Sequence, residues 1–254
     1  MLLLGIGAAS GVIALLCKRK GESPADPLLT GAIAMAGAFI GGILLRPLMK
    51  LPEIVFDWEK FGRVPADILL NYMFGEFVFY GALIGGTLAA LWFCRKFKMP
   101  FLPIADYFSV AIPVGQAFGR IGCFLGGCCY GMKVSHSHPL GVIYPPRTDG
   151  VTGLAPTGVP VLPAPLIESA CTLVIAALIF LLGRIFKLKP GQSIALYGML
   201  YGIQRFILEF YRGDLVRGLY LGLSTSQYIS ILLFMGGLLL FLFGHRRARG
   251  KQEA

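Results

Sequence analysis

Leu166-Ile167-Glu168-Ser169-Ala170-Cys171-Thr172-Leu173-Val174-Ile175-Ala176-Ala177-Leu178-Ile179-Phe180-Leu181-Leu182 carries one charge near its start and none afterwards. Arg184, Lys187 and Lys189 then close the run with positive charge. An apolar helix of about 20 residues crosses the hydrocarbon core of a bilayer, and this run reads as such a span. The rest of the chain agrees. Of its 254 residues only 14% are charged and 56% are hydrophobic, with a mean hydropathy of +0.73. A soluble domain carries about 25% charged residues, so this chain has too little polar surface to cover a globule. Lipid must cover the remainder.

Working outward, six further apolar runs bounded by charge lie near Leu2–Leu16, Leu28–Leu45, Phe77–Phe93, Leu102–Leu125, Gln192–Tyr211 and Gln227–Phe243. The sequence therefore predicts an all-α fold, a polytopic membrane helix bundle of about seven transmembrane helices forming one integral-membrane domain over residues 1–254. Between the spans, residues 46–76 contain Trp58, Phe61 and several charges and read as an interfacial arm. Residues 126–165 are rich in Pro, Gly and Ser and read as a small irregular head. In the first run Lys18, Arg19 and Lys20 follow the apolar residues, whereas a signal peptide has its charge before them. It reads as a membrane helix with a clipped start.

The net charge of +10 is an orientation signal, not a nucleic-acid site. Lys18, Arg19 and Lys20, then Arg95, Lys96 and Lys98, then Arg184, Lys187 and Lys189, and finally Arg246, Arg247, Arg249 and Lys251 all follow odd-numbered spans. The opposite loops are poorer in basic residues. By the positive-inside rule the C-terminus is cytoplasmic and both the arm and the head face outward. The basic excess also suits contact with anionic membrane lipids.

Two arginines belong to neither side. Arg120 lies in Gly115-Gln-Ala-Phe-Gly-Arg-Ile-Gly-Cys-Phe-Leu-Gly-Gly-Cys-Cys-Tyr-Gly131, and Arg205 lies in Leu200-Tyr-Gly-Ile-Gln-Arg-Phe-Ile-Leu-Glu-Phe-Tyr-Arg212. An arginine inside a span costs about 2.5–3.5 kcal/mol on insertion scales and needs an anion. Gly119 and Gly122 flank Arg120 and bare the helix face for packing or for a ligand. Tyr201, Arg205, Glu209 and Arg212 are spaced four, four and three apart, so a continuous helix places them on one face. One reading is an internal ladder, with Arg205 paired to Glu209 and Arg212 snorkelling outward. The other is a lipid phosphate held between Arg120 and Arg205, since a planar guanidinium matches phosphate oxygens bidentately.

Other ionisable groups say less. Asp106 suits a helix N-terminus. Glu168 is either a first-turn carboxylate or part of a site. His136 and His138 read as a solvated loop, without a third ligand. Cys123, Cys128 and Cys129 read first as small packing residues, second as an outward thiolate or redox site.

These strings resemble the prolipoprotein diacylglyceryl transferase family over essentially the whole chain. The blocks are Phe79-Tyr-Gly-Ala-Leu-Ile-Gly-Gly86, Gly119-Arg-Ile-Gly-Cys-Phe124, Pro163-Ala-Pro-Leu-Ile-Glu-Ser169, Tyr201-Gly-Ile-Gln-Arg-Phe206, Glu209-Phe-Tyr-Arg212 and Gly222-Leu-Ser-Thr-Ser-Gln227. The resemblance implies transfer of diacylglyceryl from phosphatidylglycerol to the lipobox cysteine of a prolipoprotein, releasing glycerol 1-phosphate at the outer face of a bacterial plasma membrane. It implies catalytic roles for Arg120 and Arg205, with Tyr80 and Glu168 beside the acid–base step. It further implies a phosphatidylglycerol site of Arg120, Arg205, Tyr201, Glu209, Arg212, Gly81, Gly119 and Gly122. Three departures stand out. Tyr80 occupies the position of the family's histidine, Cys123 and Cys128 replace an asparagine and a glutamate, and only Pro163, Leu166 and Glu168 remain of the block entering span five.

The implied reaction is substitution at carbon by sulfur. A thiol of unperturbed pKa about 8.5 is a few per cent thiolate at neutral pH and already nucleophilic. The larger task is stabilising the departing phosphate, which arginines perform without a metal or organic cofactor, and none is expected. An anionic-solute channel, or a lipid-binding relative with another acceptor, would also place arginines in spans.

Overall fold

The computed structural model describes residues 1–56, 65, 68–70, 72, 78–145, 155–213 and 219–249. Each predicted span is a helix: α1 (Leu2–Lys20), α2 (Ala25–Phe56), α3 (Phe79–Lys96), α4 (Phe101–Leu125), α5 (Ala164–Ile185), α6 (Gln192–Glu209) and α7 (Thr225–Arg249). Among the described residues, five of these are long and apolar enough to cross a membrane. The other two, α3 and α6, have 18 residues each; α6 carries Gln204, Arg205 and Glu209, and α3 ends in Arg95 and Lys96. Large apolar side chains such as Leu3, Phe39, Leu88, Val174 and Leu232 stand exposed, as lipid-facing positions require.

The helices group as two compact units, Ser23–Ile104 and Met1–Glu22 with Ala105–Ala254. In the first, α2 packs on α3 through glycines at helical spacing. A Cβ on Gly37 would meet the Gly85 carbonyl oxygen at 2.7 Å, and one on Gly41 would overlap the Gly81 carbonyl. This small-xxx-small contact lets two backbones touch. α2 is longer than the predicted span. It continues through Pro47 and Pro52 to Phe56, so the start of the expected arm is helix, while Trp58 and Phe61 lie outside the described residues.

In the second unit α1 crosses α4 where Gly5 faces Gly115. α6 and α7 run antiparallel, with Gly202 against the Ser230 carbonyl and Gly237 against that of Ala195. Asp106 serves a helix N-terminus, though not its own. Its carboxylate accepts the Gly191 and Ile194 N–H groups at 2.7 and 3.0 Å, capping α6. The described part of the head is irregular, as its composition predicts. Its backbone pairs Val142 with Val161, Met132 with Leu162, and Gly131 with Arg212, which ties it to the segment before α5 and to the end of α6.

A two-residue hairpin leads into α7. Strands β1 (Leu219–Tyr220) and β2 (Leu223–Ser224) are joined by Leu221 and Gly222 at φ +48° and +82°. Positive φ at both central positions is the twist that a tight hairpin favours. The helix then opens with reciprocal bonds: Ser224 N–H donates to Gln227 Oε1 at 2.9 Å and Gln227 N–H to Ser224 Oγ at 3.2 Å. This is a capping box, Ser-x-x-Gln.

Candidate active site

Arg120 approaches the last turn of α4, and Glu168 lies just past the first turn of α5. The chain between them folds back as the head and brings Arg120 Nη2 to 2.8 Å from Glu168 Oε1. Glu168 is 4% exposed, too buried to stand as a carboxylate without such a partner. Of the two readings left open by the sequence, the structure shows a carboxylate paired with Arg120. The neighbouring Ser169 donates to the Ala117 carbonyl at 3.1 Å, and Gln204 donates to the Glu168 carbonyl at 3.2 Å. α4, α5 and α6 are therefore locked together at this level.

Arg205 comes from α6. Its Nη2 lies 2.9 Å from Glu209 Oε2 and donates to Ser226 Oγ at 3.3 Å. The Glu209 contact is an ion pair rather than a well-directed hydrogen bond, since Oε2 has no hydrogen-bond partner among the described residues. Glu209 Oε1 accepts from Ser224 Oγ at 2.9 Å, so the capping box of α7 also holds the Glu209 carboxylate. Arg205 is 9% exposed, and its Nη1 is buried without a hydrogen-bond partner among the described residues.

The two guanidinium groups converge on common neighbours. Tyr201 lies within electrostatic reach of Glu168, Arg120 and Arg205. Glu168 in turn acts on both arginines. Tyr201 stacks on Tyr197 with ring centroids 5.7 Å apart, and Tyr197 donates to Gln116 at 2.8 Å. Two cations, two carboxylates and a phenol thus form one largely buried polar wall. Each arginine has a glutamate of its own, more counter-charge than the sequence suggested, and a buried N–H of Arg205 is left over. Such a wall can accept the oxygens of an anion.

Arg212 departs from its predicted place. α6 stops at Glu209, so the helical spacing that put Arg212 on the Arg205 face no longer applies. Its backbone pairs with Gly131, and its side chain reaches the Cys129 thiol instead of snorkelling outward. Cys129 is held well below the usual thiol range by a hydrogen bond from Cys123, then by Arg212 and Arg120. The three glycines differ. Gly119 is exposed with open space above it, Gly122 faces Met1, and Gly81 packs against Gly41. Tyr80 lies half-buried on α3 in the other unit. His136 and His138 are exposed, and the His138 ring accepts the Leu140 N–H. Sequence reasoning missed Ser224 and Ser226, although Ser-x-x-Gln ahead of an apolar run is a recognisable helix start.

A cavity of about 730 Å³ lies elsewhere, toward the opposite end of α4, with Arg19, Lys20, Asp106, Tyr107, Arg184 and Lys187 in its lining. It belongs to the basic end of the helices and not to the arginine site.

Comparison with known proteins gives the family. The profile of the family described as prolipoprotein diacylglyceryl transferase matches residues 1–243. A Clostridium perfringens protein named phosphatidylglycerol–prolipoprotein diacylglyceryl transferase 2 is 36% identical over 204 residues, covering 80% of this chain and 75% of its own. Proteins named phosphatidylglycerol–prolipoprotein diacylglyceryl transferase from Clostridium tetani and Campylobacter curvus are 31% and 32% identical. These alignments cover 95% and 96% of this chain, and 90% and 87% of the relatives. With the profile spanning nearly the whole chain and relatives above 30% identity, the chain belongs to the prolipoprotein diacylglyceryl transferase family.

Proposed function

We propose that this protein transfers the diacylglyceryl group of phosphatidylglycerol to the thiol of a prolipoprotein lipobox cysteine, releasing glycerol 1-phosphate, from a site facing the outer leaflet. The observation that carries this reading is the buried Arg205 guanidinium, with one N–H group left over, beside the Arg120–Glu168 pair and Tyr201. A phosphodiester headgroup is an anion of matching chemistry. Gly119, open above α4, leaves room for the glycerol backbone to approach Arg120.

In the reaction the acceptor sulfur attacks the glyceryl carbon, the carbon–oxygen bond to phosphate breaks, and a phosphate monoester departs. Charge builds on the leaving phosphate, so donors already fixed in a water-poor pocket stabilise the transition state more than the ground state. Arg120 and Arg205 supply them. Glu168 and Glu209 hold the two guanidinium groups in place and keep each arginine neutralised before the lipid arrives. The thiol proton leaves to solvent, to Glu168 or to Tyr80.

The test is direct. The purified chain in phosphatidylglycerol vesicles, given a lipobox peptide, is to yield a peptide heavier by one diacylglyceryl group and an equal amount of glycerol phosphate. A peptide with serine at the lipobox cysteine stays unmodified. Solute flux with no modified peptide overturns the proposal in favour of a channel.

A further inference from the structure

Among the described residues, the sulfur atoms of Cys123, Cys128 and Cys129 all lie within 4.8 Å of one another, and none is in a disulfide. The backbone brings them together. α4 ends in a Schellman turn, with Cys128 N–H bonding the Cys123 carbonyl and Gly127 N–H that of Phe124, both at 3.1 Å, and Gly127 at φ +70°. That turn places the third-last helical residue against the third residue beyond the helix, here two cysteines. Cys129 then adopts φ +57°, a left-handed conformation that non-glycine residues enter only when the surrounding structure holds them there. The turn swings the third sulfur back onto the other two. The loop is held in this shape by Ala155 N–H on the Gly127 carbonyl at 2.8 Å and Gly213 N–H on that of Tyr130 at 3.2 Å.

We propose that Cys123, Cys128 and Cys129 bind a thiophilic divalent cation of the zinc type through their three sulfur atoms, leaving its fourth coordination position for the sulfur of the acceptor cysteine. A tetrahedral zinc at about 2.3 Å from each sulfur needs sulfurs about 3.8 Å apart, which small side-chain rotations supply here. Three protein ligands with one open position are the pattern of a catalytic zinc site, whereas structural sites are closed with four. All three cysteines are half-buried, so the open position is reachable. Three thiolates around a divalent ion leave one net negative charge, and Arg120 and Arg212 lie within electrostatic reach to balance it.

The acceptor role rests on the transfer proposed above. The acceptor thiol binds as thiolate and its proton goes to water. A sulfur lone pair then forms the bond to the glyceryl carbon as the carbon–oxygen bond breaks, and that electron pair leaves on the phosphate beside Arg120 and Arg205. Nothing is oxidised or reduced. The thioether product, a neutral sulfur and a poorer ligand, then dissociates.

Cobalt(II) alone, added to the full-length chain purified under reducing conditions, is to bind one ion per molecule with a thiolate-to-metal charge-transfer band. Cys123→Ser, Cys128→Ser and Cys129→Ser each abolish the band, whereas Cys171→Ser retains it and checks that a cysteine replacement as such does no harm. A lipobox peptide then shifts the visible spectrum, and its serine counterpart does not. Absence of the band in the wild type, its survival in the Cys129→Ser chain, or a disulfide among the three sulfurs in reduced protein overturns the metal site. A band that the cysteine peptide leaves unchanged, or transfer at full rate after chelation, overturns the acceptor role. Cobalt binding and a peptide shift with no lipid transfer sink the proposed activity and leave the metal site standing.

Discussion

Arg205 decides the chemistry at the scale of one residue. It is buried beside Glu209 and Ser226, with a guanidinium N–H left over, so both its charge and its planar fork matter. Arg205→Ala and Arg205→Lys are each expected to lower the single-turnover rate of thioether formation about 10²–10³-fold, the loss seen when one preorganised donor is removed. Lysine keeps the charge but cannot reproduce a bidentate contact; full activity in Arg205→Lys would show that the fork has no role. Tyr80→Phe separates the two side chains offered for the thiol proton. An unchanged rate removes Tyr80 from that step, whereas a loss that grows toward low pH assigns it there. The two arginines were legible in the sequence because a charge inside an apolar run is costly and conspicuous. The partner of Arg120 was not, since Glu168 reaches it only after the chain folds back through the head. Arg212 was misplaced for a related reason: pairing of Gly131 with the end of α6, not helix propensity, fixes where that helix stops.

At the scale of elements, the site depends on how α7 begins. Ser224 and Gln227 cap that helix, and Ser224 also holds Glu209, the partner of Arg205. Gln227→Ala removes half the capping box and is expected to destabilise the protein by about 1 kcal/mol, lowering the thermal midpoint in detergent and the transfer rate together. Gln227→Glu preserves the Ser-x-x-Glu form of the box and is expected to leave both near wild type. If both variants unfold alike, the cap is not what matters. A second element-scale prediction concerns α2 and α3. Gly41→Leu drives a side chain into the Gly81 backbone and is expected to cost about 1–3 kcal/mol, as overpacking does. Gly7→Leu, where nothing lies within 4 Å of the added carbon, should be silent in the same melting assay. The seven helices were legible because apolar length and flanking charge are local properties. The division into two units was not, because helix partners are chosen through glycine faces that hydropathy does not register.

At the scale of the molecule, the orientation of the arginine site follows from the unit that carries it. In the unit formed by Met1–Glu22 and Ala105–Ala254, α1 and α5 end, and α4 and α6 begin, around the cavity that Arg19, Lys20, Asp106, Arg184 and Lys187 help to line. α7 runs antiparallel to α6, so its basic C-terminal turn lies toward that same end. Arg120 sits about 21 Å further along α4 at 1.5 Å per residue, at the level of Glu168, Glu209 and the head. Orienting the basic end therefore orients the site. The proposed orientation follows the rule that lysine and arginine beside a span are retained on the cytoplasmic side: under it the head, the three cysteines and the two arginines would stand at the outer surface, where a lipobox cysteine emerging from the membrane would meet them. A protease site inserted between His136 and Ser137, both exposed in the head, is expected to be cut by protease added to intact cells whose outer barrier is permeabilised. A tag placed after Ala254 should become accessible only after lysis. The reverse pattern would put the arginines at the inner leaflet, leaving phosphatidylglycerol within reach but the acceptor on the wrong side, and the proposed transfer would fall with the orientation.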